Sequence, residues 1–505
     1  MHSADPMLAP GATAPRVRRP TVWLLALAAL LLGWRVLEPL GRDQSVFYVL
    51  GREAWHGRLP YRDLFEHKPP GILLIYAFAA LLDGADGWAI SVLDTVAAGL
   101  TAALLFDFVS RLRDRRAAWL AAFVYLACGR APCFGGWWAT GQPEAFQDLC
   151  VITALCCGQR HRWLWAGVAM WGALLLKFTY IGLVPVLLLW AGRSGALPLL
   201  AGLALPTALL VAIGAVCGAL DPAWQAVIGF NIRHAQVDAV PWPRLPKALL
   251  RGGTRVLTGA PLAVVAGLLG LFAARQPRKW LPLGVWLAAC GQLLLQRKLW
   301  LWHWNPLILP LCLAAGLYLP RALWRRPRWV LAAALLLAVP TGLGTAQEVA
   351  RRLAPGNRVD VLGRYVWGGG DFSALEVAAV GLRVRALAQP DDELLVWGFE
   401  PGVYLSSGLS PGTRWLYDYP LTVGLAPTAR AAAVAEVVAR LPAIRWWIVF
   451  RNDANALEHL DSKTELAQIP ALQQALERDY RLVAELADAA IYERAPTAAA
   501  GSSGR

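Results

Sequence analysis

The chain has 505 residues, of which 57% are hydrophobic and 16% charged, and its mean hydropathy is +0.45. That balance excludes a soluble globular protein and describes an integral membrane protein. The formal charge of +14 does not mark a nucleic-acid binder, because many of the basic residues fall as short Arg clusters between apolar runs, as cytoplasmic membrane loops do.

Residues 1–21 form a polar tail that includes Arg16, Arg18 and Arg19. The apolar run after it lacks a small-residue cleavage site before Asp43, so it reads as an uncleaved first span with the N-terminus in the cytoplasm. Runs able to span a bilayer lie at 22–40, 87–109, 117–131, 144–158, 195–217, 256–274, 280–296, 301–320 and 328–345. The segment 163–191 would be about 43 Å long as one helix, against a hydrocarbon core of about 30 Å. It also has Lys177 in its middle. Splitting it into two short spans places RLRDRR (111–116), QRHR (159–162), AGRSG (191–195), RQPRK (275–279) and RALWRRPR (321–328) all inside, as the positive-inside rule asks. The expectation is a polytopic α-helical membrane domain over 22–345 with about eleven spans and an external loop at 41–86. Within that loop, 71–82 (GILLIYAFAALL) is too short to cross and reads as a helix at the outer interface. The eight cysteines all lie at or before Cys312, and their spacing gives neither a disulfide framework nor a metal site.

From 346 the composition becomes that of a soluble domain. Strands are expected at Glu393–Gly398, Arg445–Phe450, Tyr480–Leu486 and Ala489–Glu493, with helices at 428–441 and 465–478. This predicts a small α/β domain over 346–495, outside the membrane, and a disordered tail over 496–505.

Residues 43–71 (DQSVFYVLGREAWHGRLPYRDLFEHKPPG) concentrate charge beside the first span. Sorted by side of the membrane, Asp43, Asp63, Glu66, His67, Lys68, Glu144, Lys177, Arg233, His234, Arg297, Lys298 and His303 all fall at the outer face. Such a set of carboxylates and cations suits a substrate that is both phosphorylated and lipid-anchored. Asp43, in the last turn of the first span or just after it, is placed to act as a base. The plainer alternative is an interfacial carboxylate beside Arg42. Lys68, before Pro69 and Pro70, could neutralise a phosphate or snorkel at a helix start. Asp63 is a second acid in the same stretch, and Tyr61 and His67 are further candidates. Glu144 begins a span, where a helix dipole alone would favour it. Lys177, between two apolar spans, needs a partner. Arg297, Lys298 and His303 stand among tryptophans in QRKLWLWHWNP, a patch suited to a phosphate headgroup. Asp94 lies within a span and is a candidate on that ground. No P-loop, GxGxxG, HExxH or CxxC is present. A transferase using an activated lipid donor and a secondary transporter or flippase, with Asp94 and Lys177 in its path, are the two classes left.

The stretch 43–71 resembles the first external loop of C-type (GT-C) glycosyltransferases, in the bacterial branch of the protein O-mannosyltransferase and lipid A aminoarabinose transferase superfamily. GQPEAF (141–146), LLLKFTY (174–180), QRKLWLWHWNPL (296–307) and VWGFEPGVYLSSGLSPGTRWLY (396–417) follow in the family's order. The resemblance implies a GT-C-like fold in a bacterial inner membrane and transfer of a sugar from a polyprenyl-phosphate donor at its outer face. The acceptor stays open among cell-envelope glycan, lipid and protein. Asp43 matches the family's catalytic base and Lys68 a lysine near the donor phosphate. Many relatives have Asp-Glu where this chain has Asp43 and Gln44, which makes Asp63 the nearest substitute for the second acid. The resemblance implies no required cofactor. A divalent metal is compatible with it, but no ligand spacing here indicates one.

Overall fold

The computed structural model describes residues 18–84, 86–237, 239–274, 280–320, 322, 327–353, 365–367, 370–454 and 459–496. The expectations for the N-terminal tail before Arg18, the Arg clusters at 275–279 and 323–326, and the C-terminal tail from 497 lie outside the described residues.

Helix α1 (Arg18–Leu32) continues as a 3-10 segment, Gly33–Leu37. Next come α2 (Arg42–Trp55), α3 (Pro70–Asp83), α4 (Trp88–Leu112), α5 (Arg115–Cys128), α6 (Pro143–Gln159), α7 (Trp163–Leu176) and α8 (Leu183–Val216). The polytopic helical fold class expected from the sequence is present. Among the described residues, four helical stretches are long and apolar enough to cross a membrane alone: Arg19–Leu37, Trp88–Leu112, Phe178–Val216 and Arg328–Ala350. Pro70–Asp83, Trp163–Leu176 and Trp280–Gln296 are shorter apolar helices.

The segment 163–191 is divided at Lys177, which is extended and ends α7; the chain then turns back through a 3-10 segment, Phe178–Gly182. Gly192, at φ 61°, breaks α8 where the AGRSG loop was expected. The chain after Gly192 packs on α7 through glycines. A Cβ on Gly167 would come within 2.1 Å of the Leu199 carbonyl oxygen. Replacing Gly167 with Val should therefore push the two helices apart and cost about 1–3 kcal/mol by overpacking. The check is a lower melting temperature of the purified protein than that of a Gly172→Ala control. At Gly172 the nearest atom to a Cβ is the Cys150 sulfur at 3.3 Å.

The Arg-bearing loops at 111–116 and 159–162 lie together at one end of the bundle. Arg111 and Arg160 both pair with Asp107. Arg113 donates to the carbonyls of Gly316 and Leu319. Trp163 packs edge-on to Trp190, 5.4 Å between ring centroids. Helix α6 runs from this end to Pro143, about 24 Å away.

Two spans differ from the sequence reading. The run 256–274 is not one helix: Leu245–Gly259 and Pro261–Ala273 meet at Ala260, and the two arms are bent by 104°. Pro261 starts a new helix because its missing N–H is no loss at a first position. The run 301–320 opens with a 3-10 segment, Leu301–Leu307, before the helix Ile308–Tyr318. The last apolar helix, Pro327–Leu353, continues past the composition change at 346.

Beyond it, a short hairpin pairs β1 (Tyr365–Trp367) with β2 (Gly370–Phe372). A mixed five-stranded sheet follows, built from β3 (Glu393–Trp397), β4 (Ser410–Pro411), β5 (Trp446–Phe450), β6 (Tyr480–Glu485) and β7 (Ala489–Arg494) in the order β4-β3-β5-β7-β6. β3 is parallel to β4 and β5, and β7 is antiparallel to β5 and β6. β5 is buried at every residue, as a central strand of five apolar residues should be. The helix expected at 465–478 is two, Ser462–Ala467 and Pro470–Asp479, and Ala374–Leu387 is an additional one.

The charges of the 42–66 stretch fasten this domain to the helices. Arg42 binds Glu400 through Nε and Nη2 at 2.9 and 2.5 Å, with both residues buried. Arg52 donates to the carbonyls of Tyr404 and Leu409, and Arg58 to that of Pro411. Glu53, fully buried, receives Arg52 and Arg58. The Phe65 amide donates to the Arg414 carbonyl.

Candidate active site

Asp43 occupies the first turn of α2, after the extended segment at 38–41, and not the end of the first span. A carboxylate here meets the positive end of the helix. Its Oδ1 lies 3.6 Å from Lys68 Nζ, and its Oδ2 accepts from Gln142 Nε2 at 3.2 Å. Asp43 therefore keeps a fixed orientation and remains partly open, with 16% of its side chain exposed.

Lys68 is held by its backbone. Glu66 Oε1 accepts from the amides of His67 and Lys68, both at 2.9 Å, and Tyr61 donates its hydroxyl to the Lys68 carbonyl at 2.7 Å. Pro69 and Pro70 then start α3. The ammonium lies 4.7 Å above the Phe47 ring. Burial pulls its pKa down, but the carboxylates of Asp43, Glu66 and Glu144 outweigh that, so the net shift is upward and the charge is retained.

Glu144, in the first turn of α6, receives the Lys177 ammonium, and His303 Nε2 lies 3.9 Å from the same oxygen. The break after α7 is itself anchored, because Gln147 Nε2 donates to the Lys177 carbonyl at 2.9 Å. Lys298 Nζ donates to His234 Nε2 at 2.7 Å, so Nδ1 of that ring carries the proton and faces the Tyr419 hydroxyl at 2.5 Å. Burial, and then Lys298, Lys68 and Lys177, push the His234 pKa well below 6.5. Burial and then Lys68 do the same to His67. Both rings are neutral at pH 7.

These groups line one cavity of about 470 Å³. Asp43, His67, Lys68, Glu144, Lys177, Lys298 and His303, all expected from the sequence, reach it. Apolar Phe178, Ile181 and Ile232 line another part of its wall and are 40%, 56% and 64% exposed, so the cavity opens at an apolar surface. Among the described residues, no three His, Cys, Asp or Glu side chains converge as a metal ligand set.

Four expected residues lie elsewhere. Asp63 accepts from Arg62 and from the Leu59 amide, so it closes its own turn and stands outside the cavity lining. Glu144 provides the cavity's second carboxylate. Asp94 is buried between Arg130 at 2.8 Å and Arg35 at 3.1 Å, and it receives the Gly141 amide. Arg297, at φ 49°, turns from the cavity and lies 4.7 Å from the Trp242 ring. Tyr61 supports Lys68 from outside the lining.

Sequence reasoning missed Gln142, Phe399 and Tyr419, and it placed His234 only among the outer-face cations. Gln142 stands inside GQPEAF, so its motif was visible although its hydrogen bond to Asp43 was not. Phe399 and Tyr419 come from the C-terminal domain, and no local spacing connects them to Asp43.

Residues 67–217 match the family model described as dolichyl-phosphate-mannose-protein mannosyltransferase. The matched segment contains Lys68, Glu144 and Lys177. The fold is similar to that of ArnT from Cupriavidus metallidurans bound to undecaprenyl phosphate, with a TM-score of 0.57, 14% identity, and 95% of this chain and 98% of that one covered. The apo state of the same protein aligns with a TM-score of 0.55 at 14% identity, covering 94% of this chain and 98% of that chain. No curated protein matches the chain by sequence.

Proposed function

We propose that this chain is a membrane glycosyltransferase of the GT-C type that moves a sugar from a polyprenyl-phosphate donor to an extracytoplasmic acceptor in the bacterial cell envelope, a reading supported by the family match and the shared fold. The observation behind this reading is one cavity that holds the Asp43 carboxylate and three lysines, Lys68, Lys177 and Lys298, beside an exposed apolar wall. In this reading the polyprenyl chain lies against Phe178, Ile181 and Ile232, and its phosphate meets the lysines. Asp43 takes the proton of the acceptor's nucleophile. That nucleophile bonds to the anomeric carbon as the bond from the carbon to the phosphate oxygen breaks, on the opposite face, and configuration inverts. Polyprenyl phosphate leaves with its charge met by the ammonium groups, and no cofactor takes part.

The orientation proposed has the N-terminus in the cytoplasm and the cavity and C-terminal domain outside. It is supported by the Arg loops at 111–116 and 159–162, which stand at the end of α6 away from the cavity.

The test uses membranes containing the protein and polyprenyl phosphate carrying a labelled sugar. The label should appear on an acceptor, with polyprenyl phosphate released. In Lys68→Met the donor concentration for half-maximal transfer should rise roughly 10–100-fold, the value of one charged hydrogen bond, and Lys68→Arg should recover part of it. Donor that crosses the bilayer with its sugar intact would mean a transporter instead.

A further inference from the structure

The helical arm Trp242–Gly259 does not belong to the cavity, yet its surface is sharply divided. At about 100° per residue, Lys247, Arg251, Arg255, Thr254 and Thr258 share an arc about 100° wide. The next arc holds Pro246, Leu250 and Leu257, and the two leucines are 71% and 45% exposed. The third arc faces the protein. Leu245 and Val256 are buried there, and a Cβ on Gly252 would come within 1.9 Å of the Trp304 ring. Arg244, Lys247, Arg251 and Arg255 are all exposed, and residues 239–274 contain no Asp or Glu.

The bend fixes what the exposed faces meet. The arm turns by 104° into Pro261–Ala273, an apolar helix packed in the bundle against Ile308–Tyr318. With that helix in the membrane, the arm lies along the membrane surface. Its leucine face then enters the acyl boundary, and its cations stand at headgroup level. Arg297, which leaves the cavity, extends the same basic belt over Trp242, itself 65% exposed.

We infer that this arm is a docking site for an anionic phospholipid surface. It holds phosphate headgroups through Lys247, Arg251 and Arg255 and fixes the mouth of the neighbouring cavity at the interface. The inference does not depend on which sugar is transferred, or on whether any is.

The test is thermal unfolding of the full chain in neutral detergent micelles, titrated with phosphatidylglycerol or phosphatidylcholine. Phosphatidylglycerol should raise the melting temperature, and phosphatidylcholine should not. Each cation near a charged surface is worth about fivefold in lipid affinity. The triple variant Lys247→Gln, Arg251→Gln, Arg255→Gln should therefore need on the order of 100-fold more phosphatidylglycerol for the same shift. An unchanged response of the triple variant overturns the inference. So does an equal response to phosphatidylcholine, or a shift reproduced by soluble glycerol phosphate, which would indicate a free-phosphate site. Should the triple variant fail to fold, the wild type at ~0.5 M salt gives the answer. Its phosphatidylglycerol response should largely vanish there, and persistence of the full response overturns the inference.

Discussion

In Asp43→Asn the rate of sugar transfer should fall about 10²–10⁴-fold, the range a positioned general base contributes. The substitution is nearly isosteric, and Asn is also accommodated in a first helical turn, so α2 should form as before. Gln142 Nε2, which now donates to Oδ2 at 3.2 Å, can donate to an amide oxygen as well. Lys68 loses the carboxylate 3.6 Å away, so its ammonium becomes more available to an anion. The donor should thus bind as tightly as in the wild type or more tightly, while turnover is lost. A fall in donor affinity with turnover preserved would assign Asp43 to binding and leave the base elsewhere.

In Asp94→Ala the expected loss is of the fold. The carboxylate is 1% exposed and stands between Arg35 and Arg130, which are 3% and 9% exposed. Removing it leaves two buried guanidinium groups without their shared anion, and breaking such a pair costs about 3–5 kcal/mol. Arg130 also donates to the Ala145 carbonyl near the start of α6, and Arg35 to the Thr140 hydroxyl just before it. The damage would therefore reach the helix that presents Glu144. The measurement is the unfolding transition of the purified variant, with the amount of protein recovered from membranes as a second readout. A variant that stayed as stable as the wild type and lost transport of an ion or lipid would favour a transporter.

Much of the site was legible because its charges stand where helices begin or break. Asp43 and Glu144 each lie in a first helical turn, Lys68 precedes a proline-started helix, and Lys177 interrupts an apolar segment too long to cross as one helix. A charge at such a place is conspicuous in an apolar sequence, and positive-inside arithmetic assigned it a side. Arg297 was not legible in the same way. It adjoins Lys298, but a left-handed backbone sends the two side chains to different places. Loop charge speaks for a whole loop, whereas side-chain direction is set residue by residue.

The run 256–274 shows a different limit. Its composition is uniformly apolar across Ala260, so hydropathy alone joined two helices that meet at a right-angled bend. Gly259 and Pro261 were the available signs. In the C-terminal domain, alternation and β-branched or aromatic content located the four longer strands. The two-residue β4 has no periodicity to detect, and Phe399, Glu400 and Tyr419 reach the cavity region through tertiary packing alone. Asp63 was the nearest acid by chain distance, but the second carboxylate in the cavity lining is that of Glu144, further along the chain.

Everything proposed for the cavity turns on the bond between sugar and phosphate. The purified full chain in lipid nanodiscs, given synthetic polyprenyl phosphate bearing a labelled sugar and an envelope extract as acceptor, should release polyprenyl phosphate in step with label on the acceptor. The Asp43→Asn protein should bind the donor and release almost none. Intact donor after prolonged incubation with wild-type protein and acceptor, or equal release by the wild type and the variant, would contradict the account.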